Sequence, residues 1–393
     1  MRDKFFEHER IASPSRRFKC EDPTRREMTC GSLIAAFGLV LADLLRGAPP
    51  LSADPLTGPV PTLDHVAVRI VTEDYQFAVS PSQKLDGLTV QHFGWGISPG
   101  HPPGRTLASE FGLSMHVETR KGEEARQILI DFGFTPEALN NNLELTGIDV
   151  SKLDALVLSH GHYDHFGGLA GFLKNNAGRL KPKLPFYVGG EDCFCAREWV
   201  APPQKGDFGV IDREALKAAD LSILSTPQPS VVGGHGFTSG SIGQRSFEKL
   251  KSPTVMKLGL NHGSGCSPES FSEAEKKQGA LPDQFNHEIA TAFNLKDKGL
   301  IVLTSCSHRG VVNAVRQLQD VSGVKKVHAI IGGFHLAPYP PDYLQQTIVA
   351  LREINPDYLI PLHCSGEAFF AAAKARMGTK LVRAYTGTKL DFA

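Results

Sequence analysis

The chain is predicted to fold as an α/β protein, because apolar, strand-like runs alternate with amphipathic stretches at crossover spacing. Apolar runs at 300–305, 327–331 and 358–362 lead into Cys306-Ser307-His308, Gly332-Gly333-Phe334-His335 and His363. Amphipathic segments at 311–318 and 343–354 fill the gaps, the second just after Pro340-Pro341. The three histidines are spaced 27 and 28 residues apart (308 to 335, then 335 to 363), close to the ~30 residues of one strand–helix–strand unit. In open α/β sheets, sites form beyond the carboxyl ends of the strands. The three histidines are therefore expected to converge on one place.

The same grammar appears earlier, with more chemistry in it. Leu156-Val157-Leu158 reads as a short buried strand. It runs directly into Ser159-His160-Gly161-His162-Tyr163-Asp164-His165-Phe166-Gly167-Gly168, after which 169–173 is predicted helical. Imidazole nitrogen and carboxylate oxygen suit zinc, iron or manganese. Four such residues in six positions, 160 to 165, argue against a polar loop that is His-rich by accident. His160 and His162 are placed to reach one metal, and Asp164 and His165, displaced along the turn, a second one a few Å away.

The remaining elements follow in order. Residues 66–71 alternate as a strand, 112–118 and 127–131 read as two more, and 136–145 as a helix; the Gly- and Pro-rich stretch 94–104 between the first two is a surface loop. Asp131 closes its strand, where it is expected to accept the proton on a ligating histidine's free nitrogen, fixing tautomer and orientation. Residues 181–298 show no comparable metal pattern. They are read as a long elaboration that shapes the substrate pocket, with His235, Thr238 and Arg245 as candidate contacts to an anionic substrate. Structural roles are expected for Trp199, His262 and His287.

Residues 1–53 are set apart from the fold, leaving one domain at 54–393. An apolar run at 33–42 is too short to span a bilayer but has the length of a signal-peptide core. Thr24-Arg25-Arg26-Glu27-Met28 resembles a twin-arginine export signal. A long preceding segment, Asp43 and Arg46 fit that reading less well, and a cytoplasmic extension is the alternative. With 42 basic and 42 acidic residues the formal charge is zero, which gives no reason to expect nucleic acid or an anionic membrane as partner. Seven scattered cysteines show no disulfide framework.

The motif His160-x-His162-x-Asp164-His165, with Asp131 before it and His308 and His363 after it, resembles the metallo-β-lactamase superfamily. More narrowly, 63–390 resembles the 7,8-dihydropterin-6-methyl-4-(β-D-ribofuranosyl)aminobenzene-5′-phosphate synthase family. The narrower likeness lies in Cys306-Ser307-His308, Val311-Val312-Asn313, Gly332-Gly333-Phe334-His335-Leu336 and Leu362-His363-Cys364. The resemblance implies an αββα sandwich, two mixed sheets face to face with helices outside and metals at one edge. It implies one or two divalent ions, most simply zinc, with manganese or iron as alternatives. His160, His162 and His308 would hold the first, and Asp164, His165 and His363 the second. The superfamily places a bridging Asp where this chain has His335, so His335 is expected to replace the bridge, to bind one metal only, or to contact substrate.

That resemblance implies a metal-dependent hydrolase of an ester, lactone, amide or phosphoester, with Asp164 and His335 as catalytic candidates and a small molecule as substrate. The alternatives are a transferase that displaces diphosphate, as in the narrower family, and a non-catalytic metal-binding protein. A diiron redox protein is disfavoured, because flavodiiron relatives carry Glu where His162 stands. Fold alone does not choose among these chemistries.

Overall fold

The computed structural model describes residues 56–94 and 103–393, with backbone only at Leu51–Ser52. The expected export signal and most of the 94–104 loop lie outside the described residues. The rest is built on two large sheets. The first is ten-stranded, in the order Leu51–Ser52, Ser222–Ser225, Pro185–Val188, Ala155–Leu158, Glu124–Ile130, Ser114–Lys121, His65–Thr72, Lys389–Phe392, Leu88–Gln91 and Gln83–Leu85. The second is seven-stranded and runs through Val231–Val232, Gly236–Thr238, Thr291–Leu295, Gly299–Thr304, Val327–Gly333 and Tyr358–Leu362, with Thr62–Leu63 alongside Thr291–Leu295.

Pleating divides each central strand between two cores, since successive side chains point to opposite faces. From the first sheet, Val66, Val68, Ile70, Ile128, Ile130, Ala155 and Val157 face inward. They meet Ile301, Leu303, Ala329, Ile331 and Ile360 of the second sheet. The alternate residues Val71, Leu129, Leu156 and Leu158 pack outward under Leu139, Leu143, Leu169 and Phe172 of the helices Pro136–Leu145 and Leu169–Asn175. On the other side Leu300, Val302, Ile330 and Leu359 pack under Val315, Ile348 and Phe369 of the helices Val311–Ser322, Pro341–Ile354 and Glu367–Met377. Strands buried on both faces read as near-continuous apolar runs. Each such Val, Leu, Ile or Phe side chain contributes roughly 1.5–3 kcal/mol on burial. The result is a helix–sheet–sheet–helix sandwich.

Strand direction puts the site at one edge. In the first sheet Glu124–Ile130, Ala155–Leu158, Pro185–Val188 and Ser222–Ser225 are parallel. In the second, Gly299–Thr304, Val327–Gly333 and Tyr358–Leu362 are parallel. The metal-motif histidines His160, His162, His165, His308, His335 and His363, and Asp131, all follow parallel strands at their carboxyl ends. The chain turns sharply there, and Asp131 (φ 57°), Ser307 (φ 62°), His335 (φ 45°) and His363 (φ 48°) all adopt left-handed backbone, a conformation that L-residues rarely take.

Residues 181–298 divide three ways rather than forming one insert. Two of their strands extend the first sheet and three the second. The remainder makes a four-stranded sheet, Gly206–Asp207, Ala196–Trp199, Thr254–Lys257 and Leu281–Pro282, and a hairpin, Gly259–Asn261 with Ser264–Cys266. A disulfide, Cys195–Cys266, ties the hairpin to the turn before Ala196–Trp199. It joins residues 71 positions apart, a loop length worth on the order of 4 kcal/mol. Among the described residues no helix is long and apolar enough to cross a membrane.

The tightest backbone approach is at Gly332, where φ is +125° and an added Cβ would lie 1.7 Å from the Thr304 carbonyl oxygen. Gly332→Ala is therefore expected to lower stability by about 2 kcal/mol or more, seen as a lower urea midpoint. An unchanged midpoint would contradict this register.

Candidate metal centre

Two groups of buried ligand-type atoms meet at the carboxyl edge. His160, His162 and His308 form one, and Asp164, His165, Cys306 and His363 the other; within each, the ligand atoms lie within 4.8 Å of one another. The motif turn is pressed against its surroundings. A Cβ on Gly161 would fall 2.2 Å from the Cys193 carbonyl oxygen, so only glycine lets His160 and His162 flank this point. Tyr163–Phe166 then forms a short helix that the sequence reading missed, and it presents Asp164 and His165 inward.

Hydrogen bonds settle which ring atom faces the centre. The Ser159 hydroxyl donates to Asp131 (2.7 Å), so it accepts from His160 Nδ1 (2.9 Å) and leaves Nε2 as the lone pair. The Thr254 hydroxyl, which donates to Asp283 (3.3 Å), accepts from His162 Nε2 (3.0 Å), which leaves Nδ1. In the second group His165 Nδ1 donates to Asp131 (2.8 Å) and His363 Nδ1 to Asp74 (3.1 Å), turning both Nε2 atoms toward Asp164. Carboxylates that hold histidine in this way fix the tautomer and raise ligand basicity.

The electrostatics of the two groups differ. Burial, reinforced by the neighbouring imidazoles, keeps His160 and His308 neutral far below their ordinary pKa, and burial brings His162 down to about 3. Burial also opposes protonation of His165, but Asp164 and Asp131 overcome it and raise its pKa to about 9. Burial would likewise push Asp164 up, yet His165 and His363 hold its carboxyl well below the carboxylate range. One group is thus a set of neutral nitrogens and the other an anion among cations.

Buried polar atoms without a partner are rare, yet this edge holds several: His160 Nε2, both ring nitrogens of His308, Asp164 Oδ1 and His335 Nδ1. A divalent cation satisfies such atoms, and neutral imidazole with carboxylate is the donor set that binds one. These residues fit a metal.

A metallo-β-lactamase superfamily profile matches residues 119–181, which include the motif turn. The fold aligns with the crystal structure of a metal-dependent hydrolase of the β-lactamase superfamily at TM-score 0.57 and 19% identity, covering 83% of this chain and 98% of that one. The chain is thus similar to the metallo-β-lactamase superfamily over residues 119–181 and shares the fold of that hydrolase structure. Over 265 residues it is 28% identical to the 7,8-dihydropterin-6-methyl-4-(β-D-ribofuranosyl)-aminobenzene-5′-phosphate synthase of Methanocaldococcus jannaschii, covering 66% of this chain and 82% of that relative. An uncharacterized protein of the same organism is 26% identical over 283 residues, covering 71% and 92%. An enzyme is what the superfamily fold and the synthase relative support.

Not every candidate reaches the centre. His335 does: its ring centroid lies 4.1 Å from that of His308. It clusters with Cys306 and Cys364, however, and not with Asp164, His165 and His363. His235, Thr238 and Arg245 stand apart. His235 bonds Thr119 (2.8 Å), whose partner Arg126 lies five residues, roughly 17 Å, back along the strand from Asp131. The Thr238 hydroxyl accepts from the Ser230 amide (3.1 Å), and Arg245 pairs with Gln317 and Asp320 on an outer helix. Their Gly-rich context suggested a pocket wall, but these residues brace a sheet edge and a helix.

Several residues at the centre went unassigned in the sequence. Cys306 and Cys364 stand beside motif histidines, and Glu73-Asp74 follows a strand's carboxyl end; both were legible signals. The Glu73 carboxylate accepts from the His363 amide (2.9 Å). Glu288 accepts from the amides of His308 (2.8 Å) and Arg309 (2.7 Å), and the Phe285 ring stacks on His308 at 3.9 Å. His287 accepts from the Gly161 amide (3.2 Å) and bonds Asp192 (2.9 Å). Nothing in local sequence marks Phe285, His287 or Glu288.

Asp131→Ala removes the acceptor shared by Ser159 and His165. Metal affinity is expected to fall about 10- to 100-fold in a chelator competition titration, with the fold retained by circular dichroism.

Proposed function

We propose that the protein is a metal-dependent hydrolase acting on a small ester, lactone, amide or phosphoester. The observation that carries this reading is the pair of adjoining buried ligand groups, three neutral imidazoles and a carboxylate flanked by two histidines, each with polar atoms left without a protein partner. His160, His162 and His308 would hold the first ion, and Asp164, His165 and His363 the second. Such an ion lowers the pKa of bound water toward ~7 and polarises the oxygen under attack. Asp164 would orient the attacking water or take its proton through Oδ1, the oxygen without a protein partner. His335, partly buried beside His308, would contact the substrate. Trp199 and Phe208, packed near His162, and Phe111, 4.9 Å from His363, form an apolar rim that limits water.

A second reading is a transferase that displaces diphosphate, and the synthase relative favours it. We also propose export in folded form. The twin-arginine-like Arg25-Arg26 supports that, as does the Cys195–Cys266 disulfide, since such bonds persist in oxidising compartments.

Elemental analysis of purified protein, joined to a screen of nitrophenyl esters, lactones and phosphodiesters, tests the function. Two ions per chain with turnover are expected. One ion without hydrolysis, together with diphosphate release from a pterin methyl diphosphate and an aminobenzene acceptor, would favour the transferase. Asp164→Asn is expected to lower kcat by about 10²–10⁴-fold in a stopped assay at saturating metal. His160→Ala and His363→Ala should both abolish turnover, but only the first should empty the site formed by His160, His162 and His308. Equal metal loss in both would refute separate sites.

A further inference from the structure

We propose that Cys306 is a thiolate ligand of the second metal. With Asp164, His165 and His363 it completes a closed set of one sulfur, one oxygen and two nitrogens. The proposal rests on the two-metal reading above and deepens it, because the bridging Asp of the wider superfamily is absent from this chain.

Three observations point to Cys306 rather than to His335 as the completing group. First, its sulfur lies among the other three ligand atoms, all four within 4.8 Å of one another, whereas His335 does not join them. Second, Cys306 Sγ is 3.1 Å from His165 Nε2. That nitrogen is aimed inward because Asp131 holds Nδ1 on the other side of the ring. Third, Cys306 is only 2% exposed, at a strand's carboxyl end, two residues from His308. A free buried cysteine is ordinarily inert packing, but packing does not place a thiol within reach of a carboxylate and two inward-facing imidazole nitrogens.

The chemistry is balanced by proton release. The Cys306 S–H bond breaks, its proton passes to solvent, and the sulfur lone pair forms the bond to the metal. Thiolate favours zinc or cobalt over magnesium or manganese, which prefer oxygen donors. The second site should therefore select for soft ions, and a four-ligand set leaves it little room for substrate. His335, beside Cys306 and Cys364, is then left for the substrate. Cys364 Sγ, 3.3 Å from Cys306 Sγ, is an outer neighbour and not a ligand.

Cobalt(II) reports this directly. Metal-free protein titrated with cobalt(II), without thiol reductant, is expected to show visible ligand-field bands, then a near-ultraviolet sulfur-to-cobalt charge-transfer band with the second equivalent. Cys306→Ser should lose the charge-transfer band and keep the ligand-field bands, and Cys364→Ser should keep both. A wild-type protein that binds two equivalents with no charge-transfer band overturns the proposal, and this arm stands even if Cys306→Ser fails to fold. So does a band that survives in Cys306→Ser. Failure to bind any cobalt would sink the metal reading itself, whereas two bound ions with only nitrogen and oxygen character would sink this ligand alone.

Discussion

The carboxylate of Asp131 is the joint on which the edge turns. It is fully buried, ends one parallel strand, and accepts from the amide and hydroxyl of Ser159 and from the ring of His165. Those bonds tie the end of Glu124–Ile130 to the start of the motif turn. Through the Ser159 hydroxyl they also set His160, and directly they set His165. One side chain thus orients a residue in each ligand group. Left without these partners, a buried carboxylate would cost several kcal/mol, so loop and carboxylate require each other.

The two groups draw support from different parts of the chain. Around the three neutral imidazoles stand Thr254, Asp283, Phe285, His287 and Glu288, all from 181–298. Arg197, also from that region, is fully buried and pairs with Asp283 (2.8 Å) while reaching His287 (3.0 Å). Around the Asp164 group stand Glu73, Asp74 and Asp131, from the first sheet. The extra small sheet therefore braces the first group, while the sandwich itself braces the second.

Much of this was legible in the sequence, for physical reasons. The strands Val327–Gly333 and Tyr358–Leu362 could be read because both faces are buried, which leaves no polar interruption. The helix Pro136–Leu145 was bounded by Thr135, whose hydroxyl accepts from the Ala138 amide, and by a proline at its first position. The four-residue helix Tyr163–Phe166 was not readable, since its span is too short to show periodicity. His235 was misplaced because a Gly-rich loop carries no long-range information. Glu288 and Phe285 reach His308 across about twenty residues of sequence, and only the packed sheets bring them there.

The left-handed backbone at Asp131, Ser307, His335 and His363 sets an opposition between durability and chemistry. Each such residue costs on the order of 1–3 kcal/mol, and glycine would relieve it. Selection for heat resistance alone would therefore favour glycine at these four corners. At Asp131, His335 and His363 that change would erase the side chains that make the edge chemical. Ser307 is the exception, because its hydroxyl gives only one bond, to the Gly333 carbonyl (2.9 Å). It is the corner at which a sturdier protein need not become an inert one.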